Sequence, residues 1–279
     1  MTVPRVLIIE GLINAVITAA KLTVGMSVGS MAIVGDALHS LSDLANNIVA
    51  WLAYRISIRP PDHDHPYGHQ KFEPLAVFAL ATVLAVLAVE LVMRAITDSS
   101  DAPVSEPWAL WMMLAVLGVN IASAAWEWWW AKRLDSDLLH ADVRDTVADV
   151  LTTAVIIVGW QFAASGYPWL DRVLTFGIAV FILYMAWGLF RRAVPILVDA
   201  AVVEPAPMIA AISEVPHVRE VRRVRSRRSG GRASADVVVA VDPGLSTALS
   251  HTVADAVERL LAERFDMHDV TVHIEPHER

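Results

Sequence analysis

The amino-acid sequence predicts an all-α polytopic membrane domain of six transmembrane helices, followed by a small two-layer α+β domain. Three observations carry that expectation. The chain is 56% hydrophobic with a mean hydropathy of +0.50, too apolar for an ordinary soluble domain. Six apolar stretches reach the length of about 20 residues that a helix needs to cross a bilayer. From about Glu204 those stretches give way to short alternating and helical patterns. Residues 1–199 therefore form the membrane domain and 200–279 a domain outside it.

The apolar stretches are 6–28, 32–58, 72–93, 108–131, 138–164 and 169–194. The first link holds Gly25 and Gly29 and no charge. The second carries Arg59 and Lys71, with Arg55 beside it. The third is acidic, with Asp98, Asp101 and Glu106. The fourth carries Lys132 and Arg133, and Arg191 and Arg192 close the last span. Bases alternate from link to link, which the positive-inside rule reads as six spans with both termini cytoplasmic. The cell inner membrane is the expected location. The N-terminus has no basic stretch followed by a short apolar core and a small-residue cleavage site, so its first run is a retained helix.

Trp126, Trp128, Trp129 and Trp130 read as an interfacial belt. Glu90 and Arg94 are four apart and read as a local ion pair. Lys21 either snorkels or pairs with an acid such as Asp36.

In the tail, 206–214 is helical. Residues 218–227 alternate Val with Arg as an edge strand, and Ser229-Gly230-Gly231 is a turn. Residues 235–241 are a β-branched strand. Ser246 caps a helix with Val253, Val257, Leu260 and Leu261 at helical spacing, and 270–274 is a last strand. A domain this small favours dimerisation.

The functional signal lies where charge should be absent. Asp36, His39 and Asp43 are spaced i, i+3, i+7, on one face of a helix. Asp142, Asp145 and Asp149 repeat the spacing. An Asp at a helix centre costs about 2.5–3.5 kcal/mol against lipid, so these groups face a wet or protein-lined interior. At about 1.5 Å per residue, His39 levels with Asp149 and Asp43 with Asp145. The four make a near-tetrahedral set of three carboxylates and one imidazole. Asp36 and Asp142 lie toward opposite ends, as pathway groups or as supports behind the ligands. There is no cysteine, so any metal is bound through nitrogen and oxygen.

Gly35-Asp36-Ala37-Leu38-His39-Ser40-Leu41-Ser42-Asp43 resembles the cation diffusion facilitator family. So do Pro66-Tyr67-Gly68-His69-Gln70-Lys71-Phe72-Glu73, Ala141-Asp142 leading to Asp145 and Asp149, and Asp269 to Pro276 in the tail. The resemblance implies a homodimeric exporter of divalent transition metals, driven by proton exchange through alternating access. It implies that the tail is a ferredoxin-like, metallochaperone-like dimerisation domain. It assigns His39, Asp43, Asp145 and Asp149 to the transport site. One His with three Asp stands between the sets of zinc members and of manganese and iron members. Zinc is the first choice, with manganese, iron, cobalt and cadmium as alternatives. Ligation needs deprotonated carboxylates and neutral imidazole, which makes His39 the natural proton switch.

The resemblance also assigns Asp62, His65 and His69 to a second site in the loop after the second span. Pro60, Pro61 and Pro66 exclude a regular helix there, so spacing alone does not define its geometry. In the tail, Asp236, His251, His273, Glu275 and His277 are candidate ligands for a regulatory site at a dimer interface. Certain zinc members place His where this chain has Arg222 and Val238. The seven arginines from Arg219 to Arg232 face anionic lipid or acids of a partner subunit rather than nucleic acid. No nucleophile motif supports an enzyme. The rival reading is a membrane metal sensor that does not translocate.

Overall fold

The computed structural model describes residues 3–97, 103–134, 137–229 and 232–278. The Gly230-Gly231 turn and the acids Asp98 and Asp101 lie outside the described residues, as does the side chain of Asp142. Six long helices come first: α1 (Val3–Val28), α2 (Met31–Ser57), α3 (Phe72–Thr97), α4 (Pro107–Leu134), α5 (Asp137–Ala164) and α6 (Trp169–Leu197). Each has 26 to 29 residues, enough to cross a hydrocarbon core of about 30 Å at ~1.5 Å per residue. Five are apolar enough to span by composition as well as length. The exception is α2, because it carries Asp36, His39, Asp43 and Arg55. The charges that mark the site are what lower its hydropathy.

The chain forms two compact units. The first is Met1–Trp51 with Ala79–Leu189. Its core includes Ile33, Met113, Ile156, Trp160 and Ile182, all 1% exposed or less. Ile8, Leu12, Val16 and Val86 stay more than 60% exposed, as side chains facing lipid would in the absence of lipid. Gly29 makes the turn between α1 and α2 at φ +72°. A Cβ on Gly25 would meet the Val34 backbone nitrogen at 2.9 Å, so glycine permits the close approach of the two helices.

Two polar contacts brace this unit. Asp171, near the start of α6, accepts hydrogen bonds from the Ser30 hydroxyl and from Met31 N–H at 3.0 Å. A carboxylate thus meets the positive end of α2 from another helix. Glu90 and Arg94 form the expected ion pair at 2.6 Å. Lys132 Nζ lies 3.8 Å from the Trp128 ring centroid, and Trp126 and Trp130 pack against Val6, Ala131 and Leu139.

The second unit is Leu52–Phe78 with Phe190–Arg279. It contains α7 (Pro205–Ser213), β1 (Val218–Ser229), β2 (Arg232–Val241), α8 (Thr247–Phe265) and β3 (Met267–Pro276). The sheet order is β1-β2-β3, so β1 is an edge, as its Val–Arg alternation predicts. β1 and β2 form an antiparallel hairpin whose last pair is Ser229 with Arg232. β3 runs parallel to β2 after the α8 crossover. Met208, Ile212, Val237, Val239, Val257 and Leu261 form the core between helices and sheet. The Ser246 hydroxyl accepts from Leu249 N–H and caps α8, as expected. Lys71, beside the start of α3, pairs with Asp199 after α6 at 2.9 Å.

Candidate metal centre

The stripe on α2 meets Asp149, the last acid of the stripe on α5. His39 Nε2 lies 3.2 Å from Asp149 Oδ1, and His39 Nδ1 lies 3.8 Å from Asp43 Oδ2. One ligand atom from each of His39, Asp43 and Asp149 falls within 4.8 Å of the other two. Donors about 2.0–2.2 Å from a tetrahedral ion stand roughly 3.3–3.6 Å apart, so modest closure brings these three to ligand distance. The imidazole is 9% exposed and the Asp43 carboxylate 40%, so the ligands are sheltered on one side and reachable on the other. His39 Nδ1 is buried with no hydrogen-bond partner among the described residues, which leaves a nitrogen for a ligand. Phe181 packs its edge against the ring at 5.2 Å.

Three of the four expected ligands come together; Asp145 does not join them. Its side chain is exposed. Depth arithmetic levels residues but ignores rotation. His39 and Asp43 share this spacing and both join, so it is the way α5 packs against α2, and not the spacing, that leaves Asp145 outside.

Asp36 is buried completely and pairs with Lys21 at 2.9 Å. Lys21 Nζ also donates to Ser40 Oγ at 3.1 Å, and Thr153 donates to Asp36 Oδ2 at 3.2 Å. Lys21 therefore pairs rather than snorkels. Asp36 braces α2 against α1 and α5 one turn from His39.

Sequence reading missed Glu127, buried completely within α4. It accepts from Ser123 at 2.9 Å and from Thr146 at 2.7 Å. Thr146 lies between Asp145 and Asp149, so this bond fixes α5 where its ligands project. A lone acid between Trp126 and Trp128 in an apolar helix was the available signal.

The loop site has a definite geometry. Asp62 Oδ1 lies 3.1 Å from His65 Nδ1, and Asp62 Oδ2 lies 3.2 Å from His69 Nε2. The same carboxylate accepts from His65 N–H at 2.7 Å and Asp64 N–H at 3.1 Å. Those bonds build an Asx-type turn that substitutes for helix where the prolines forbid it. Gly68 then turns the chain at φ +84° and buries His69 against Phe72. The backbone N–H of His65, aided by the His65 and His69 side chains, holds the Asp62 carboxyl below its usual range. Asp62, His65 and His69 together could hold one ion.

In a single chain the tail residues stay apart. Asp236, His251, His273, Glu275 and His277 form no three-ligand group among the described residues. His251 lies near Asp255 at 3.8 Å, His273 near Glu275 at 3.6 Å, and His277 near Glu220 at 3.6 Å. Arg222 donates to Glu275, placing a guanidinium at the carboxylate a metal would need.

Long apolar helices that converge on a sheltered imidazole–carboxylate cluster define a membrane protein that handles cations. Residues 7–198 match the cation efflux transmembrane domain, and 204–277 match the cation efflux protein, cytoplasmic domain. The chain belongs to this family, the cation diffusion facilitators. It is a multi-pass integral membrane transporter and not an enzyme. It is 29% identical over 254 residues to the cation-efflux pump FieF of Pectobacterium atrosepticum, covering 89% of this chain and 84% of that protein. It is 27% identical over 267 residues to the manganese efflux system protein MneS of Bacillus subtilis, covering 95% and 92%. A solved MamM-CTD structure is 25% identical, covers 27% of this chain and 92% of its own, and has a TM-score of 0.26.

Proposed function

We propose that the protein exports a divalent transition metal across the bilayer by alternating access, in exchange for protons. The observation that carries this reading is the His39–Asp43–Asp149 cluster, built from α2 and α5 inside the membrane domain. A sensor would need no such group there. In this reading Asp145, one turn from Asp149 on α5, is the fourth ligand and joins when α5 shifts closer to α2. Ligation displaces protons from the same atoms, and this supplies the coupling. His39 is the switch: in a folded His39→Ala variant, flux stops responding to the proton gradient.

Zinc is the first substrate in this reading. The oxygen-rich donor set favours manganese or iron next, and one relative is named as a manganese efflux protein. Functionally, 1–199 carries the ion and 200–279 pairs two copies as a homodimer. Both termini are cytoplasmic, and the membrane is the cell inner membrane. Asp62, His65 and His69 bind a second ion, and the tail residues bind a regulatory ion only between partner subunits.

The test is flux in proteoliposomes under an imposed proton gradient, comparing zinc, manganese, iron and cobalt with an Asp149→Ala control. Gradient-dependent flux that vanishes in the control supports the antiporter. Metal binding without flux for any of the ions sinks it in favour of a sensor.

A further inference from the structure

A cavity of about 650 Å³ opens within the second unit, between the α2–α3 loop and the tip of the β1–β2 hairpin. Cations stand on both sides: Lys71 from the loop, Arg227 and Arg232 from the hairpin. Lys71 is committed to Asp199. The two arginines are not. Among the described residues neither has a carboxylate within 4.0 Å, whereas Arg219 and Arg222 on β1 both do. Arg227 is held in place by Tyr67, whose ring centroid lies 5.6 Å from the guanidinium carbon. Ser234, the register partner of Arg227, adds a hydroxyl to the lining.

Uncommitted guanidinium groups beside a hydroxyl suit a phosphate, which accepts bidentate bonds from their fixed forks. The level of the cavity matters too. α2 ends at Ser57 and α3 begins at Phe72, and Phe72 itself lines the cavity. The cavity therefore adjoins the first turn of α3, one of the helices long and apolar enough to cross a bilayer. Asp64 and Asp269 also line it and disfavour a polyphosphate.

We propose that this cleft binds a ligand bearing a single phosphate, either an anionic lipid headgroup or a free phosphate ester. Its occupation ties the arginine hairpin to the loop that carries Asp62, His65 and His69. His65 of the loop also lines the cleft, but His39, Asp43 and Asp149 do not, so its failure and the failure of the transport reading are distinguishable.

The full chain, stripped of lipid in detergent, is titrated with inorganic phosphate by calorimetry. In parallel, nanodiscs of phosphatidylglycerol and phosphatidylcholine in equal parts report which lipid the protein retains. The double variant Arg227→Gln, Arg232→Gln weakens phosphate binding by about tenfold or more, the loss expected for charge-assisted hydrogen bonds. Arg219→Gln, whose arginine pairs with Asp242 away from the cavity, leaves binding unchanged. If phosphatidylglycerol retention falls with phosphate affinity in the double variant, the source is lipid. If only phosphate affinity falls, the source is a free ester. Wild-type protein that neither binds phosphate nor retains phosphatidylglycerol overturns the site. So does a loss of equal size in Arg219→Gln.

Discussion

The Lys21–Asp36 pair offers the sharpest test of how the membrane domain is held. Both side chains are fully buried, and Asp36 Oδ2 receives Lys21 Nζ at 2.9 Å and Thr153 Oγ1 at 3.2 Å. Asp36 Oδ1 is buried with no hydrogen-bond partner among the described residues. Removing one partner leaves the other charge buried and uncompensated, a loss of about 3–5 kcal/mol. Lys21→Met should thus destabilise the protein by that amount. By the scaling for domains of 150–250 residues, at about 2–4 °C per kcal/mol, the midpoint falls roughly 6–20 °C. The double variant Lys21→Met, Asp36→Leu removes both charges and the unsatisfied oxygen. It should recover most of the loss, because an apolar pair replaces a buried ion pair at little cost. Thermal unfolding of the four proteins of this cycle in one detergent measures the coupling directly. Additive losses would refute the reasoning, as would a Lys21→Met variant within about 1 kcal/mol of wild type.

Asp149→Asn should lower the affinity for transported metal more than Asp145→Asn in equilibrium dialysis, since Asp149 touches His39 and Asp145 stays outside the cluster; equal losses would place Asp145 in the resting site. At the loop site, the folded pKa of Asp62 is depressed. Its stabilising contribution is therefore complete above its unfolded value of about 3.9 and is lost only as pH falls through the lower folded value. Asp62→Asn should therefore lower the unfolding midpoint at about pH 7 and converge on wild type in strong acid; equal midpoints at about pH 7 would contradict this. Asp171→Ala uncaps α2 from across the unit and should cost about 1–2 kcal/mol; an unchanged unfolding midpoint would show that the contact with Ser30 and Met31 carries no stability.

Much of this architecture was legible in local pattern. The helix ends fall within four residues of those read from hydropathy, because the span length is set by bilayer thickness. The edge position of β1 followed from its alternating arginines, and the Ser246 cap from its place before an apolar helical period. The stripes on α2 and α5 announced the cluster, since an acid facing lipid is too costly to be accidental. The loop carried its donors in plain view, yet its prolines removed any regular frame from which to place them.

By itself, then, the sequence determined which residues could face an ion: period and hydropathy are properties of neighbours along the chain. Tertiary structure alone decided which of them do. Whether Lys21 reached Asp36, whether Asp171 met the end of α2, and whether Asp145 joined Asp149 all depended on helix rotation. Rotation about a helix axis is set by packing against residues far away in the chain, and no local period encodes it. The same holds for the cleft between Tyr67 and Arg227, which lie 160 positions apart and meet only because the two segments fold into one unit.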